Sequence, residues 1–474
     1  GNFMYGRRRI LFKAISIYII YAFLSAVLFF FIQSPKKQEK PGYIESRAVI
    51  KNNDRTALIE SGEDGINVRL NLIENAQSTI DISYYTLTEG VSVDLVFGSL
   101  IEAADRGVKV RVLLDGIFHN LSGELRNVKY ALADHPNIEY KLYEPFQILK
   151  PRTWNNRLHD KLIIVDKKLV LIGGRNIGDK YFYDNSEVFQ HSKDRDILVY
   201  SPKYESASSV NKINNYFNEV FNHKYSKVAV SNVSKRQKAK GKVSSDKLKE
   251  AYKGYKDAYP DKRAPIDWLD KTMSVDAVEF VYNPIGRGNQ DPWVLRKLMS
   301  LASDAKESVL IQSPYVILSR KIERDFEDFD FDYSKTKILT NSMAASPNPI
   351  GYAGYKNNRK KLIESGLTIY EYQGPMSIHG KTYIYDNKIS AIGTFNFDAR
   401  SSYLNSEIMV IVHSEDFANH LKYKVDKDLD NSLELASDLT YKDNDLVEEG
   451  QVSIFKKILI AILSKIVYFV DYLL

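Results

Sequence analysis

The chain has 474 residues, 44% of them hydrophobic and 12% aromatic, enough for two domains that each bury a full core. It contains no cysteine, which excludes disulfides and thiolate metal sites. Its formal charge of +6 is mild: it favours anionic partners only weakly and does not separate lipid from nucleic acid.

In chain order, residues 1–42 form an N-terminal tail and anchor, with Gly1-Asn2-Phe3 reading as a cloning remnant ahead of a native start at Met4. Residues 14–32 carry no charge and follow Arg7, Arg8, Arg9 and Lys13, so as a helix they are long enough to cross a hydrocarbon core. A cleaved signal peptide is the competing reading, but the apolar run is too long and lacks an A-x-A site. The four basic residues before the span face Lys36, Lys37 and Lys40 after it, which leans toward a single-pass, N-terminus-in anchor in the cell membrane.

A first domain is expected over residues 43–225. Residues 75–85 pass from a helix end into an apolar strand, 108–114 form a strand after a helix, and 138–145 form another. The same succession returns at 304–315, 335–340 and 367–375, inside a second domain over 276–440. Strands alternating with helices predict two α/β halves, each a mixed sheet with helices on both faces, related by a pseudo-twofold. Between them, residues 226–275 are Lys-rich around Lys235-Arg236-Gln237-Lys238-Ala239-Lys240 and read as a basic linker or insertion, helical over 245–259. A solvated loop is the plain account, and contact with anionic lipid headgroups the sharper one. In residues 441–474, Lys457, Ala461, Lys465, Tyr468 and Tyr472 line one helical face and apolar residues cover most of the rest. That amphipathic helix suits a membrane interface, or packing on the protein or a partner subunit.

The most specific signal is a pattern that occurs twice, 220 positions apart: His159-Asp160-Lys161 with Asp166, and His379-Gly380-Lys381 with Asp386. Each continues at matched offset into a glycine turn, Gly173-Gly174-Arg175-Asn176 and Gly393-Thr394-Phe395-Asn396. On a strand, residues i and i+2 share a face, so each His lies beside its Lys. Two such strands brought together present two imidazoles, two ammonium groups and two amides in one pocket, a site for a phosphodiester. Asp166 and Asp386 sit a full strand away and read as structural, paired or capping a turn.

These paired H-x-K-x4-D motifs with G-x-x-N tails resemble the phospholipase D superfamily over roughly residues 66–412, and residues 173–182 with Asp194-Arg195-Asp196 resemble its bacterial cardiolipin synthase branch. The family motif carries Ser where this chain has Gly174 and Thr394, positions expected to bind substrate. The resemblance implies an α/β fold of two tandem phospholipase D-like α/β/α sandwich domains, plus the transmembrane and C-terminal amphipathic helices. It also implies phosphodiester chemistry that needs no cofactor and no metal.

One neutral imidazole attacks phosphorus and the other, protonated, donates to the leaving oxygen. Lys161, Lys381, Asn176 and Asn396 bind the non-bridging oxygens. The apolar runs after Asp196 and Glu407 align the two residues as equivalent carboxylates that orient the imidazoles, with an insertion near residues 183–192 accounting for their different distances from the histidines. By resemblance, His159 is the nucleophile and His379 the acid. The expected partners are the membrane and phospholipids: phosphatidylglycerol, with phosphatidylethanolamine as a second donor. The expected activity is phosphatidyl transfer that makes cardiolipin, with no nucleic acid involved. A membrane-anchored phospholipase D hydrolase, or a nuclease of the same fold, is the alternative, and an oligomer is left open.

Overall fold

The computed structural model describes residues 2–39, 42–45, 48–184, 191–203, 205–327 and 329–474, so Lys40 and most of the expected insertion near 183–192 lie outside the described residues. Strands β1 (Arg55–Ile59), β2 (Thr79–Tyr84), β3 (Lys109–Asp115), β4 (Ile138–Tyr143), β5 (Lys161–Val165), β6 (Leu169–Gly173), β7 (Ser192–Lys193), β8 (Asp196–Tyr200), β9 (Ser226–Val228) and β10 (Met273–Ser274) precede a second series. This comprises β11 (Ala277–Tyr282), β12 (Val309–Gln312), β13 (Thr336–Asn341), β14 (Thr368–Tyr372), β15 (Ser377–Ile378), β16 (Thr382–Tyr385), β17 (Ile389–Gly393), β18 (Ile408–His413) and β19 (Ser432–Glu434). The first sheet runs β10-β1-β8-β6-β5-β2-β3-β4-β9 and the second β11-β18-β17-β16-β12-β13-β14-β19. Apart from β10 the two orders are the same, so the repeat seen in the sequence is a repeat of topology.

In each half three parallel strands (β2-β3-β4, β12-β13-β14) are joined by an antiparallel strand, β5 or β16, that begins at their carboxyl ends. Strands β5 and β16 are buried along their whole length, which is why they read as near-continuous apolar or aromatic runs. Ligand sites of α/β sheets gather at the carboxyl ends of parallel strands. The start of β5 and of β16 is therefore where His159 and His379 must lie. A core of Leu162, Ile172 and Val199 from the first half with Phe280, Ile392 and Val410 from the second fuses the inner faces of the two sheets.

The segment expected as a basic linker is structural. Its strands β9 and β10 extend the first sheet, and a helix, Lys235–Ala258, packs against the helix Val91–Asp105. Ser234 and Gln237 form a capping box at its start, and Leu248 and Tyr252 are buried. The lysines that suggested a solvated loop decorate its outer face, as Lys238 with Asp134 and Lys249 with Asp105 illustrate.

Asp166 and Asp386 cap turns. Asp166 accepts from the backbone N–H of Gln77, Ser78 and Thr79, and Asp386 from those of Lys306, Glu307 and Ser308.

The apolar N-terminal segment is a helix over residues 7–32, long and apolar enough to cross a membrane by length and composition. The helix Ile454–Val470 packs on the helix Pro349–Glu364 through Ile460 and Val467 and leaves Phe455, Ile458, Ile462, Ile466 and Phe469 exposed.

Helix 235–258 approaches so closely that a Cβ on Gly98 would stand 2.3 Å from the Leu248 carbonyl oxygen. Gly98→Val should force the two helices apart and cost about 2–3 kcal/mol, seen as a lower urea midpoint with unchanged slope.

Candidate active site

His159 and His379 enter the site from opposite halves. Leu158 bridges to Ser406 in parallel, and the His159 N–H donates to the Ser406 carbonyl and hydroxyl. In the matching place, β15 pairs with β7 and the His379 N–H donates to the Lys193 carbonyl at 2.7 Å. Each histidine is thus fastened to the other half by backbone before its ring makes any contact.

The rings follow the same rule. His159 Nδ1 lies 2.9 Å from Glu407 Oε1 and 3.0 Å from Oε2, while His379 Nδ1 lies 2.5 Å from Asp194 Oδ2. Glu407 therefore serves the histidine of the first half and Asp194 that of the second. Both carboxylates are fully buried, and an Nδ1 engaged in this way leaves Nε2 to face the ligand.

Asp196 does not reach an imidazole. It lies beneath the site, held by the buried guanidiniums of Arg69 (2.8 Å) and Arg175 (2.9 Å). The ladders give the correct alignment of the halves: the Gly174 N–H donates to the Arg195 carbonyl and the Thr394 N–H to that of Ile408. Arg195 thus matches Ile408, and Asp194 matches Glu407. The expected equivalence was two residues out of register.

The two carboxylates sit differently against the glycine turns. Thr394 Oγ1 donates to Glu407 Oε2 at 2.5 Å, so its hydroxyl braces the carboxylate and is not free for a phosphate oxygen. A Cβ on Gly174 would stand 2.2 Å from Asp194 Oδ1. The shorter Asp fills the space that a side chain after Gly173 would need.

Lys161 donates to the His159 carbonyl at 2.7 Å, and Lys381 contacts the His379 carbonyl and both its ring nitrogens. Asn176 donates to the Tyr181 hydroxyl at 3.1 Å; the Oδ1 atoms of Asn176 and Asn396 are buried without a partner among the described residues. Tyr85 lies edge-on to His159 and Tyr181 beside His379. Sequence reasoning missed Asp194, Tyr85 and Tyr181. It also missed the asymmetric middle position of the motif, where Asp160 accepts from Tyr216, Ser83 and Ser406, whereas Gly380 makes room for Arg195.

Burial dominates the electrostatics. It lowers Lys161 to about 7, helped by the Lys381 ammonium, and lowers Lys381 to about 8 against the pull of Asp194 and Glu407. Burial, then Lys381, takes His379 to about 3, and burial with both lysines takes His159 well below its ordinary value. Burial also raises Glu407 to about 7, against the pull of Lys161. Asp194 goes the other way: despite its burial, His379 and Lys381 hold it well below the usual carboxylate range. The two imidazoles and two ammonium groups are thus close enough to influence one another electrostatically. Such a site binds an anion and offers it a nucleophilic nitrogen on one side and a proton donor on the other.

The family described as cardiolipin synthase, phospholipase D-like domain, matches residues 70–220 and 298–429, more than half of the chain. The chain belongs to this family. It is similar to cardiolipin synthase C of Escherichia coli K12, 28% identical over 403 residues that span 76% of this chain and 81% of the relative. It is 24% identical to cardiolipin synthase 2 of Staphylococcus epidermidis over 86% of this chain and 74% of that one. Its fold matches that of phosphatidylserine synthase from Haemophilus influenzae, with TM-score 0.63 and 14% identity over 89% of this chain and 98% of the other. The chain is a phosphatidyltransferase of the phospholipase D superfamily.

Two outcomes test the site. Asp194→Asn should fold normally and lose turnover by roughly 10²-fold or more, with KM little changed. Asp196→Asn should instead unfold at lower denaturant, by about 3–5 kcal/mol, because it strips two buried guanidiniums of their counter-ion. Anion binding should also carry protons. Lys161 and Lys381 are only partly charged in the empty site above about pH 7–8, so affinity for dibutyl phosphate, singly charged from about pH 6 to 9, should fall as pH rises. Calorimetry in buffers of different ionisation enthalpy should show proton uptake, and Lys161→Arg should flatten the profile.

Proposed function

We propose that the chain is a membrane-anchored cardiolipin synthase that works through a phosphohistidine. The observation that carries this reading is the pair of imidazoles whose Nδ1 atoms are each engaged by the other half's carboxylate, facing a common pair of lysines. In the first step His159 Nε2 attacks the phosphorus of phosphatidylglycerol. The bond from phosphorus to the glycerol headgroup breaks, and His379 gives its proton to the departing oxygen. The substrate anion, together with ionised Asp194, favours the imidazolium of His379 that this step needs. Lys161, Lys381, Asn176 and Asn396 take the non-bridging oxygens as charge builds in the trigonal-bipyramidal transition state.

In the second step neutral His379 removes the proton from a glycerol hydroxyl of another phosphatidylglycerol. That oxygen attacks phosphorus, the P–N bond breaks, and His159 is released. Two phosphatidylglycerols become one cardiolipin and one glycerol. Phosphatidylethanolamine is a second candidate donor by the same steps. The half-buried Tyr315 and the half-exposed Phe118, which packs on Tyr85, give the mouth an apolar rim suited to lipid. The helix over residues 7–32 serves as the single-pass anchor, and the exposed apolar face of the helix Ile454–Val470 rests in the membrane interface.

Detergent-solubilised protein given phosphatidylglycerol should release cardiolipin and free glycerol, unaffected by a chelator and abolished by His159→Ala. Quenching the wild type in acid-free denaturant should recover a phosphatidyl group bound to histidine. Phosphatidic acid as the sole product would mean a hydrolase, and cleavage of single-stranded nucleic acid without lipid turnover would mean a nuclease.

A further inference from the structure

The loop after β4 has a composition and a hydrogen-bond pattern that a solvated loop does not need. Phe146, Ile148 and Leu149 are 56%, 57% and 74% exposed, three large apolar side chains in four residues. Single exposed hydrophobics are ordinary, but a cluster at a loop tip marks contact with something apolar. Its backbone carbonyls are meanwhile taken up by protein donors. Trp154 Nε1 donates to Gln147, Tyr18 to Ile148 (2.8 Å), Tyr21 to Leu149 (2.9 Å), and the Thr153 N–H and hydroxyl to Lys150. Non-helical backbone enters hydrocarbon only when its polar groups are satisfied by protein.

Two of those donors belong to the apolar N-terminal helix. Tyr18 and Tyr21 lie near the middle of the 7–32 helix, roughly 15–20 Å along the axis from its end at 1.5 Å per residue. From Ser25 onward the helix is seated on the protein body. Its turn widens to a π-helix over Leu24–Leu28, where the Ala26 carbonyl accepts from Asn155 at 2.6 Å and the Val27 carbonyl from Tyr472 at 3.1 Å. The part before this seat, residues 7–24, is about 27 Å long and begins with three arginines. It falls short of a hydrocarbon core of about 30 Å unless the docked end, and whatever is bonded alongside it, also enters the leaflet.

Beneath the loop tip a cavity of about 350 Å³ separates helix from body, with Tyr21, Leu24 and Phe29 on the helix side and Lys150, Arg152 and Arg287 on the other. Arg287 is paired with Glu144, while Arg152 lies over the Phe29 ring. Apolar and aromatic groups on one side of a ring of cations is the order of groups met on passing from acyl chains to lipid phosphates.

We propose that residues 146–149 form a membrane wedge, sunk into the acyl region beside the helix, with Lys150, Arg152 and Arg287 at the level of the lipid phosphates. The occupant of this surface is the lipid bilayer. The inference rests on the anchor reading above, and the test separates the two. Because the chain has no cysteine, single labels can be placed without background: Leu149→Cys at the loop tip, Ile19→Cys on the helix, and Val243→Cys on the exposed outer helix as control. Each full-length variant carries an environment-sensitive fluorophore and is reconstituted in phosphatidylcholine–phosphatidylglycerol vesicles with brominated acyl chains. Labels at 149 and 19 should lose about half or more of their emission, as expected within the hydrocarbon, and the label at 243 should not. Quenching at 19 with a label at 149 reached only by aqueous iodide would overturn the wedge and leave the anchor standing. No bromolipid quenching at either position would overturn both.

Discussion

Everything in the active site depends on two buried carboxylate–imidazole pairs that cross the pseudo-twofold axis. Glu407 holds His159, and Asp194 holds His379, so neither half contains a finished catalytic group. The halves cannot slide past one another without leaving a buried carboxylate unpaired, which costs several kcal/mol each time. The backbone bridges at Leu158–Ser406 and β7–β15 reinforce the same contacts, and the shared apolar core lies directly behind them. Chemistry and domain assembly are therefore one constraint.

The pairs are unequal, and the inequality starts from a single position after the first glycine of each turn. With Thr394 in place, Glu407 reaches His159 and is braced by the hydroxyl; at Gly174 the Asp194 carboxylate occupies the space a side chain would need. Beneath His379, Gly380 leaves room for Arg195, which is tied to Glu60, Thr382 and Gln312. Beneath His159, Asp160 occupies the corresponding place, and burial raises it to about 7. Glu407 and Asp160 thus sit near their titration points while Asp194 stays ionised. An ionised carboxylate favours an imidazolium, and a half-protonated one favours a neutral ring. In the proposed mechanism, that gradient suits a donor at His379 and a nucleophile at His159.

The histidines, lysines and asparagines were legible because strand periodicity and the glycine turn fix their neighbours within a few residues. The orienting acid of the first half was misplaced because strand periodicity is two: Asp194 and Asp196 point to the same side, and both precede the same apolar run. Nothing local distinguishes them. The difference is made by Arg69, 127 positions from Asp196, and by Arg175, which together claim one of the two carboxylates. The crossing of partners was equally hidden, since aligning two halves tells which residues are equivalent and not which ones meet. The helix 235–258 was obscured by composition. Its lysines dominate any average, while the contact that places it rests on Leu248 and Tyr252, four residues apart on one face, and on a bare backbone at Gly98.

The apolar N-terminal helix and the active site are joined by a short run of polar contacts. The Ala26 carbonyl accepts from Asn155, whose own carbonyl accepts from Arg400 at 3.1 Å; the Arg400 N–H in turn donates to the carbonyl of Leu474. Arg400 is half-buried near Tyr85 and adds to the fields that keep His159 uncharged. Asn155 is also only four residues from His159, on the segment that leads directly from the exposed loop into β5. On the proposed anchoring, a helix held this way would fix the height of His159 relative to the bilayer. For a substrate that stays in the leaflet, height is what brings phosphorus to nitrogen: a flexible tether would leave the phosphodiester and the imidazole to find each other by diffusion, whereas a seated helix lets lateral movement of the lipid alone complete the encounter.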